Sequence, residues 1–596
     1  DVPVEQHRDT LFYGAHRQRP QSPRASSPSA GTLRHVGLPS AHHVVFDMRW
    51  QTLIAVVAIL AVLVLAGLGA YRATTVLVPD SGGVYREGVA GSPRYLNPVL
   101  AAGNDVDRDI VALVFEGLTV ADSKGQVQPK LATSWEVSSD SLRYTFHLRE
   151  DVRWQDGVPL TADDVVFTVG LMRSPDLNGC QSAVDLWNAV QVERPDAHTV
   201  VLVLQEPFAP FLHLTTFGLL PAHLLKDVPP ADLASHSFNL HPVGTGPFMV
   251  REVTDQHVLL GVNGSYYGTR PYLDAVEILL YPDYASVYAA YTRGEIQGIS
   301  HLSATDADKA AANPSLNLFC TPLSGYGLVF LNLEHPIFQE REVRLALLLA
   351  TDRQLLVSHI LHHQAIVADG PVPVTSWAYS ASATSYTYDP QAAIVLLEKA
   401  GWVDQDGDGV REKGRLKLEF ALLTNDDETR IQLINELTRQ WARIGVRAIP
   451  QTVGVAGLVR DFLQPRNYDA LLYAWQRLPT DPDPYTQWHS TQKQGTGQNY
   501  TGYTSVEADL LMEQARKTAD ESQRAALYRQ VWDILADDVP AIPLYQPVYC
   551  YAVDKQVHDV RLGPLYDYPD RLRTLTDWYI NQRRVLVSEE PLWSQR

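Results

Sequence analysis

Sulfur is scarce: the 596 residues include only three cysteines, Cys180, Cys320 and Cys550, and four methionines. The cysteines lie far apart with no CxxC pair, which excludes a thioredoxin-like motif and speaks against a structural zinc site. An odd number leaves at least one thiol unpaired within the chain. One long-range disulfide is compatible with the count, but spacing does not reveal its ends, and three small buried hydrophobes are the expectation. Positive charge is also short, with 49 Lys+Arg against 68 Asp+Glu and a net charge of -19. Such a chain lacks the basic face that phosphate requires, so nucleic acid and anionic lipid surfaces are poor partners. No GxxxxGKS/T phosphate loop, GxSxG elbow, HExxH helix or compact Ser/His/Asp arrangement occurs, so neither a P-loop nucleotide hydrolase nor an anchored secreted hydrolase finds support. No repeat of solenoid or propeller period is present.

What the chain does have is 45% apolar side chains, enough core for two or more domains. Near the start, "LIAVVAILAVLVLAGLGA" (53–70) is uncharged and apolar all round, where a soluble helix would show a polar stripe. At about 1.5 Å per residue it nearly crosses a bilayer core of about 30 Å. Residues 52–71 therefore read as a transmembrane anchor or a signal segment. Gly67 and Gly69 make a weak cleavage site, no cysteine follows for a lipid anchor, and an uncleaved anchor is expected. Residues 1–47, rich in Pro, Ser, Arg and His, cannot bury enough surface to order themselves. The first methionine is Met48, and the expectation is that translation begins there. If the preceding stretch exists, its arginines favour a cytoplasmic location, with the large C-terminal part outside.

From Val84 onward, strands and helices alternate. "LRYTFHL" (142–148) alternates faces, and "VVLVLQEPF" (200–208) reads as an apolar strand ended by a proline. "TADDVVFTVGLM" opens on an N-cap Thr161 with acids in its first turn. "VRLALLLATDRQLLVSHIL" and "DPQAAIVLLEKAGW" read as helices, the second capped by Asp389 with Pro390 at its first position. "LKLEFALLT" (416–424) and "YDALLYAW" (468–475) are strands on either side of an amphipathic helix, which indicates parallel α/β units.

Several stretches, in order, resemble one family. "LATSWEVSSDSLRYTFHLREDVRWQDGVPLTADDVVFT" (131–168), "RYLNP" (94–98), "VFEGLTVAD" (114–122), "HPVGTGPF" (241–248), "VRLALLLATDR" (343–353), "DPQAAIVLLEKAGW" (389–402), "GQNYTGYTSVEADLLMEQAR" (497–516) and "DDVPAIPLYQP" (537–547) are similar to blocks of the peptide/nickel/oligopeptide-binding proteins of ABC importers, solute-binding protein family 5. The resemblance covers about 84–560. It implies an α/β, type II periplasmic-binding-protein fold behind the N-terminal transmembrane helix. Lobe one with an extra subdomain would occupy 84–324 and lobe two 325–548, with 549–596 returning to lobe one and ending in a tail. It further implies a non-enzymatic receptor with no cofactor and no bound metal, held at the cell membrane with its binding part extracytoplasmic. Such a receptor captures a peptide or other small solute and delivers it to a permease driven by a separate ATPase. Capture of an oligosaccharide or metal chelate by the same fold, and sensing without transport, remain open alternatives.

The family's second-lobe wall ends W-x-x-D-x-x-D-P, and its first Asp typically receives a peptide's α-amino group. Here Trp475, Asp481 and Pro482 match, but Leu478 replaces that Asp. A buried ammonium without a counter-charge costs several kcal/mol, so either Asp481 or Asp483 takes over the charge, or the ligand carries no ammonium there. The second is expected. Trp475 offers a flat apolar face and Gln476 an amide contact, against the alternative of a rigid DPDP turn with Trp475 in the core. Leu96 and Asn97, in "YLNP", are ligand contacts or an Asn-Pro turn. Tyr326 and Tyr545, at the two expected crossings between lobes, line the cleft or pack it.

Two constellations point toward metals. Asp404, Asp406, Asp408 and Gly409 start like a calcium loop, but Arg415 stands where the bidentate Glu belongs, so no calcium is expected. His359, His362 and His363 fall on one face if "HILHH" is helical, and are read as exposed residues at a helix end rather than metal ligands.

Overall fold

The computed structural model describes residues 41–177, 181–379, 386–495 and 497–587; Cys180 lies outside them. The chain divides into two units, Leu77–Arg584 and a smaller one made of Asp1–Val76 with Val585–Arg596. Among the described residues the smaller contains one helix, Ala41–Thr74. Its 25-residue part Trp50–Thr74 buries no side chain. At about 1.5 Å per residue this part measures about 37 Å, more than the roughly 30 Å of a bilayer core. By length and composition it is a candidate membrane span, a few residues longer than the apolar run alone indicates.

In the larger unit, one mixed sheet runs through both lobes. Its order is Arg447–Val453, Glu419–Asn425, Ala470–Gln476, Gly325–Leu331, Ala541–Asp554, Gly298–Ile299, Val84–Ala90, Ala275–Tyr281, His257–Val262 and Phe248–Val253. Lobe two is the first half of that list. Every residue of Gly325–Leu331 is buried, because this apolar strand has a core on each face. Val329 and Leu331 join Phe420 and Trp441 on one side, while Tyr326, Leu328 and Phe330 join Trp475, Trp488 and Trp532 on the other. That alternation follows from the two-residue side-chain period of a strand. Glu419–Asn425 and Ala470–Gln476 pair in parallel with the helix Glu428–Ala442 between them in sequence, as the periodicity indicates, and a strand it does not indicate, Arg447–Val453, pairs in parallel on the other edge of Glu419–Asn425. The helix is capped by Asp427 and buries Leu433, Ile434, Leu437 and Trp441.

Lobe one carries the extra subdomain. Ala132–Val137, Arg143–Leu148, Thr199–Val203 and Gln191–Asp196 make a four-stranded antiparallel sheet. It packs with the helix Ala162–Met172 around Phe146, Trp154, Leu202 and Phe211. Thr161 and Asp164 close a capping box at the start of that helix. The strand read over 200–208 is shorter than its apolar run and ends at Val203, well before Pro207.

Two crossings join the lobes. Leu316–Pro322 and Gly325–Leu331 are nearly continuous, and the 14-residue strand Ala541–Asp554 pairs with both. The register sets Cys320 directly opposite Cys550, and the two form a disulfide. The expectation of three buried thiols therefore fails for this pair. Cross-strand adjacency of residues 230 positions apart is a property of the tertiary register, which spacing does not encode.

The helix read through 343–361 is interrupted. Arg341–Leu349 ends, Asp352 caps a new turn, and a π-turn finishes at Ile360. His362 and His363 lie beyond it with φ of 47° and 62°, so the three histidines share no helical face.

Behind the crossings, Arg571 is buried between two carboxylates. Its guanidinium donates to Glu87 through Nε at 3.0 Å and to Asp109 through Nη1 at 2.7 Å. Tyr85 and Tyr551 hydroxyls donate to the other Glu87 oxygen at 2.7 and 2.8 Å. Nearby, His301 sits among the rings of Tyr284, Tyr549 and Tyr568 at 4.8, 5.3 and 6.4 Å. Burial, then the Arg571 charge, push its pKa down to about 4, against a weaker opposing pull from Asp105. The unfolded histidine binds a proton below about pH 6.5, so this contribution is present above that pH and is lost as pH falls toward 4. Thermal scans from pH 7 to pH 4 are expected to show a smaller fall in melting temperature for His301→Gln than for the native chain; equal falls would exclude His301 as a source.

Candidate ligand-binding site

Three parallel strands of lobe two end together, at Asn425, Val453 and Gln476. Ligands of open α/β sheets sit off such carboxyl ends. Here a cavity of about 290 Å³ opens, lined by Asn425, Arg430, Tyr473, Trp475, Gln476 and Arg477, with Val455, Leu458 and Ala474.

Trp475 is placed by register, opposite Tyr326 on Gly325–Leu331. Its indole packs edge-on against Phe330 at 4.8 Å and Tyr326 at 5.5 Å, and lies parallel to Tyr500 at 6.1 Å. It is 9% exposed, so it is at once a core residue and part of the cavity wall. Gln476 is exposed on the same wall. Tyr326 is buried behind Trp475. Tyr545 lies over Gly327, where a Cβ would come within 2.5 Å of its ring, so only glycine allows that approach.

Leu478 turns away from this cavity. Its N–H donates to Ser324 O at 2.9 Å, and its side chain joins a small gap beside Pro371, Trp488 and Trp532. Asp481 is buried and accepts from Arg524 Nη2 at 2.9 Å and Tyr528 Oη at 3.1 Å, with His213 Nε2 at 3.7 Å. Burial, partly offset by Arg524, pushes its carboxyl up to about 6, while burial followed by the Arg524 charge pushes His213 down to about 4. Asp483 accepts from Arg516 Nε at 2.7 Å and caps Tyr485 N–H at 3.1 Å. Both carboxylates that stood as substitutes for the missing Asp are thus held by arginines of the same lobe.

Leu96 and Asn97 are wholly buried in lobe one. Asn97 Oδ1 accepts from Val99 N–H at 3.1 Å and its amide donates to Asn239 at 3.3 Å, which makes it a turn residue of its own loop. The structure therefore brings Trp475 and Gln476 to this cavity and gathers Tyr326, Leu478 and Asp481 around a second, smaller one of about 30 Å³, while Tyr545, Leu96 and Asn97 line neither. Sequence reasoning missed Arg430, Asn425, Tyr473 and Arg477. The usable signal was topological: Asn425 ends a parallel strand, Arg430 and Arg477 lie past the end of one, and Tyr473 is within the strand that Gln476 ends.

The family model for bacterial extracellular solute-binding proteins, family 5, matches residues 126–497. The chain belongs to that family. Among relatives of this family 5 chain, the oligopeptide-binding protein AppA of Bacillus subtilis is 31% identical over 511 residues, covering 84% of this chain and 92% of the relative. The structure of AppA in complex with a nonapeptide matches at a TM-score of 0.68, with 30% identity over 85% of this chain and all of that one. NikZ from Campylobacter jejuni, in complex with Ni(L-His), matches at a TM-score of 0.69, with 27% identity over 83% of this chain and 99% of its own.

One acidic cluster of this family 5 chain carries its own cation. Asp404, Asp406, Asp408 and Glu412 converge, and Lys417 Nζ sits among three of them, at 2.9 Å from Asp406 and Asp408 and 3.1 Å from Glu412. Asp404 instead accepts from the N–H groups of Gly407 and Gly409, which shapes the turn.

Proposed function

We propose that this chain is the extracytoplasmic receptor of a peptide importer, tethered by its apolar helix, that takes up peptides at the Trp475 wall and passes them to a permease worked by a separate ATPase. It does so without catalysing a reaction. The observation that carries this reading is the cavity walled by Trp475 and Gln476 at the carboxyl ends of three parallel strands, on the scaffold shared with a nonapeptide-bound relative. Closure needs two lobes and a bend, and the strand breaks at Leu323–Ser324 and opposite Gln546–Pro547 supply the place for it. The boundaries of lobe one (84–324), lobe two (325–548) and the return (549–596) are proposed on that basis. Trp475 gives an extended backbone a flat apolar face and Gln476 an amide to hydrogen-bond.

Native mass spectrometry of protein purified without added ligand tests the reading. A ladder of bound peptide masses is expected; a sugar or a nickel chelate in its place would overturn peptide capture. Trp475→Leu, which keeps an apolar side chain there but removes the aromatic face, is expected to weaken peptide binding about tenfold in calorimetry, the scale of losing one aromatic anchor. An unchanged affinity would show that the indole serves only the core.

A further inference from the structure

We infer that the cavity beside Trp475 selects a ligand bearing a carboxylate at this wall. The inference rests on the peptide-receptor reading and names the chemistry of its ligand.

The two charged side chains among the lining residues are both guanidinium groups, Arg430 and Arg477. Neither belongs to an ion pair among the described residues. Arg430 donates Nη1 to Asn425 Oδ1 at 3.1 Å and lies over the Tyr473 ring at 5.7 Å, contacts that orient the group without neutralising it. Asn425 is itself buried, which fixes the acceptor end of that contact. Arg477 is exposed, stands at φ 58° as the strand ends, and makes one long hydrogen bond, to Ala102 O at 3.5 Å in lobe one.

No carboxylate is among the lining residues. Asp481 and Asp483 are held by Arg524 and Arg516. Asp427 caps the helix through the Arg430 N–H at 2.9 Å. Asp567, the lobe-one acid that feels the Arg477 charge, is paired with Arg108 at 3.0 Å. An ammonium placed here would meet two like charges and no carboxylate among the lining residues. A carboxylate would meet two forks of N–H donors, a geometry that binds it bidentately. It can come from an acidic side chain or from an acidic acyl group blocking the amino end.

The test uses the full chain and four carboxyl-amidated pentapeptides in calorimetry: free-amino, N-acetylated and N-succinylated pentaalanine, and an N-acetylated peptide with one alanine replaced by glutamate. At least one carboxylate peptide is expected to bind about tenfold or more tighter than the neutral acetyl peptide, the scale of a charge-assisted hydrogen bond. Which one wins identifies the source. Arg430→Gln/Arg477→Gln is expected to reduce that ratio to about one. A neutral or free-amino peptide binding as tightly as both acidic ones would overturn the inference and leave peptide capture standing. If no peptide binds, peptide capture falls, and glutarate decides the charge question. A melting-temperature rise with glutarate in the native chain but not in the double variant supports an anion site; equal responses overturn it.

Discussion

Arg571→Met is expected to destabilise the protein by about 3–5 kcal/mol, the range for breaking a buried ion pair from one side. Glu87 and Asp109 share that guanidinium inside lobe one, with the Arg571 and Glu87 side chains at most 1% exposed. Removing the cation leaves two carboxylates in an apolar shell, with only the Tyr85 and Tyr551 hydroxyls and each other for company. Methionine fills much of the volume, so the loss reports charge rather than a cavity. Urea unfolding with an unchanged slope and a lower midpoint is the expected signature. A loss below about 1 kcal/mol would mean that the carboxylates take up protons or water without difficulty. Glu87→Gln/Asp109→Asn in the Met background is then expected to recover part of the loss, since it removes the stranded charges.

The second large effect belongs to the disulfide. Cys320→Ser/Cys550→Ser is expected to cost about 4–5 kcal/mol, because the bond closes a loop of 230 residues and the chain-entropy gain grows with loop length. The bond joins the two strands on the lobe-one side of the crossing, three residues from the break at Leu323 and Ser324. Its loss is therefore expected to loosen the crossing as well. Faster amide exchange in Leu316–Pro322 and Val548–Asp554 than in Gly325–Leu331 would show this directly. An identical unfolding midpoint with and without reductant, with both thiols shown to be free, would remove the disulfide from the list of stabilising features.

The sequence was legible where local rules and tertiary structure coincide. Thr161 with Asp164, and Asp389 before Pro390, mark helix starts by capping chemistry that acts within a few residues. "GYGLVFL" reads as apolar throughout, and its burial on both faces follows from having a core on each side. What was not legible depends on partners distant in sequence. Cys320 and Cys550 meet only through strand register. Asp481 looked available for a ligand because nothing near it announces Arg524, 43 positions on. Asn97 resembled a cleft residue until Asn239 appeared beside it. The histidines at 359–363 are exposed as read, but their shared helical face is lost for a local reason: the helix ends at Ile360 and two of them stand in left-handed turns. Trp475 and Gln476 reached the cavity because the motif that flags them also ends their strand. Arg430 belongs to a different strand–helix junction, and only the parallel pairing of Glu419–Asn425 with Ala470–Gln476 brings it alongside.

A final consequence follows from the strand Ala541–Asp554, which is laid into both halves of the sheet. A nascent polypeptide shorter than about 540 residues has no way to finish either half, and Arg571, which neutralises Glu87 and Asp109, emerges later still. Neither half of the sheet is therefore complete until residues past Ala541 have been made. Ribosome-arrested fragments ending before Ala541 are expected to be cut rapidly by a broad-specificity protease, and fragments extending past Trp578 to resist it.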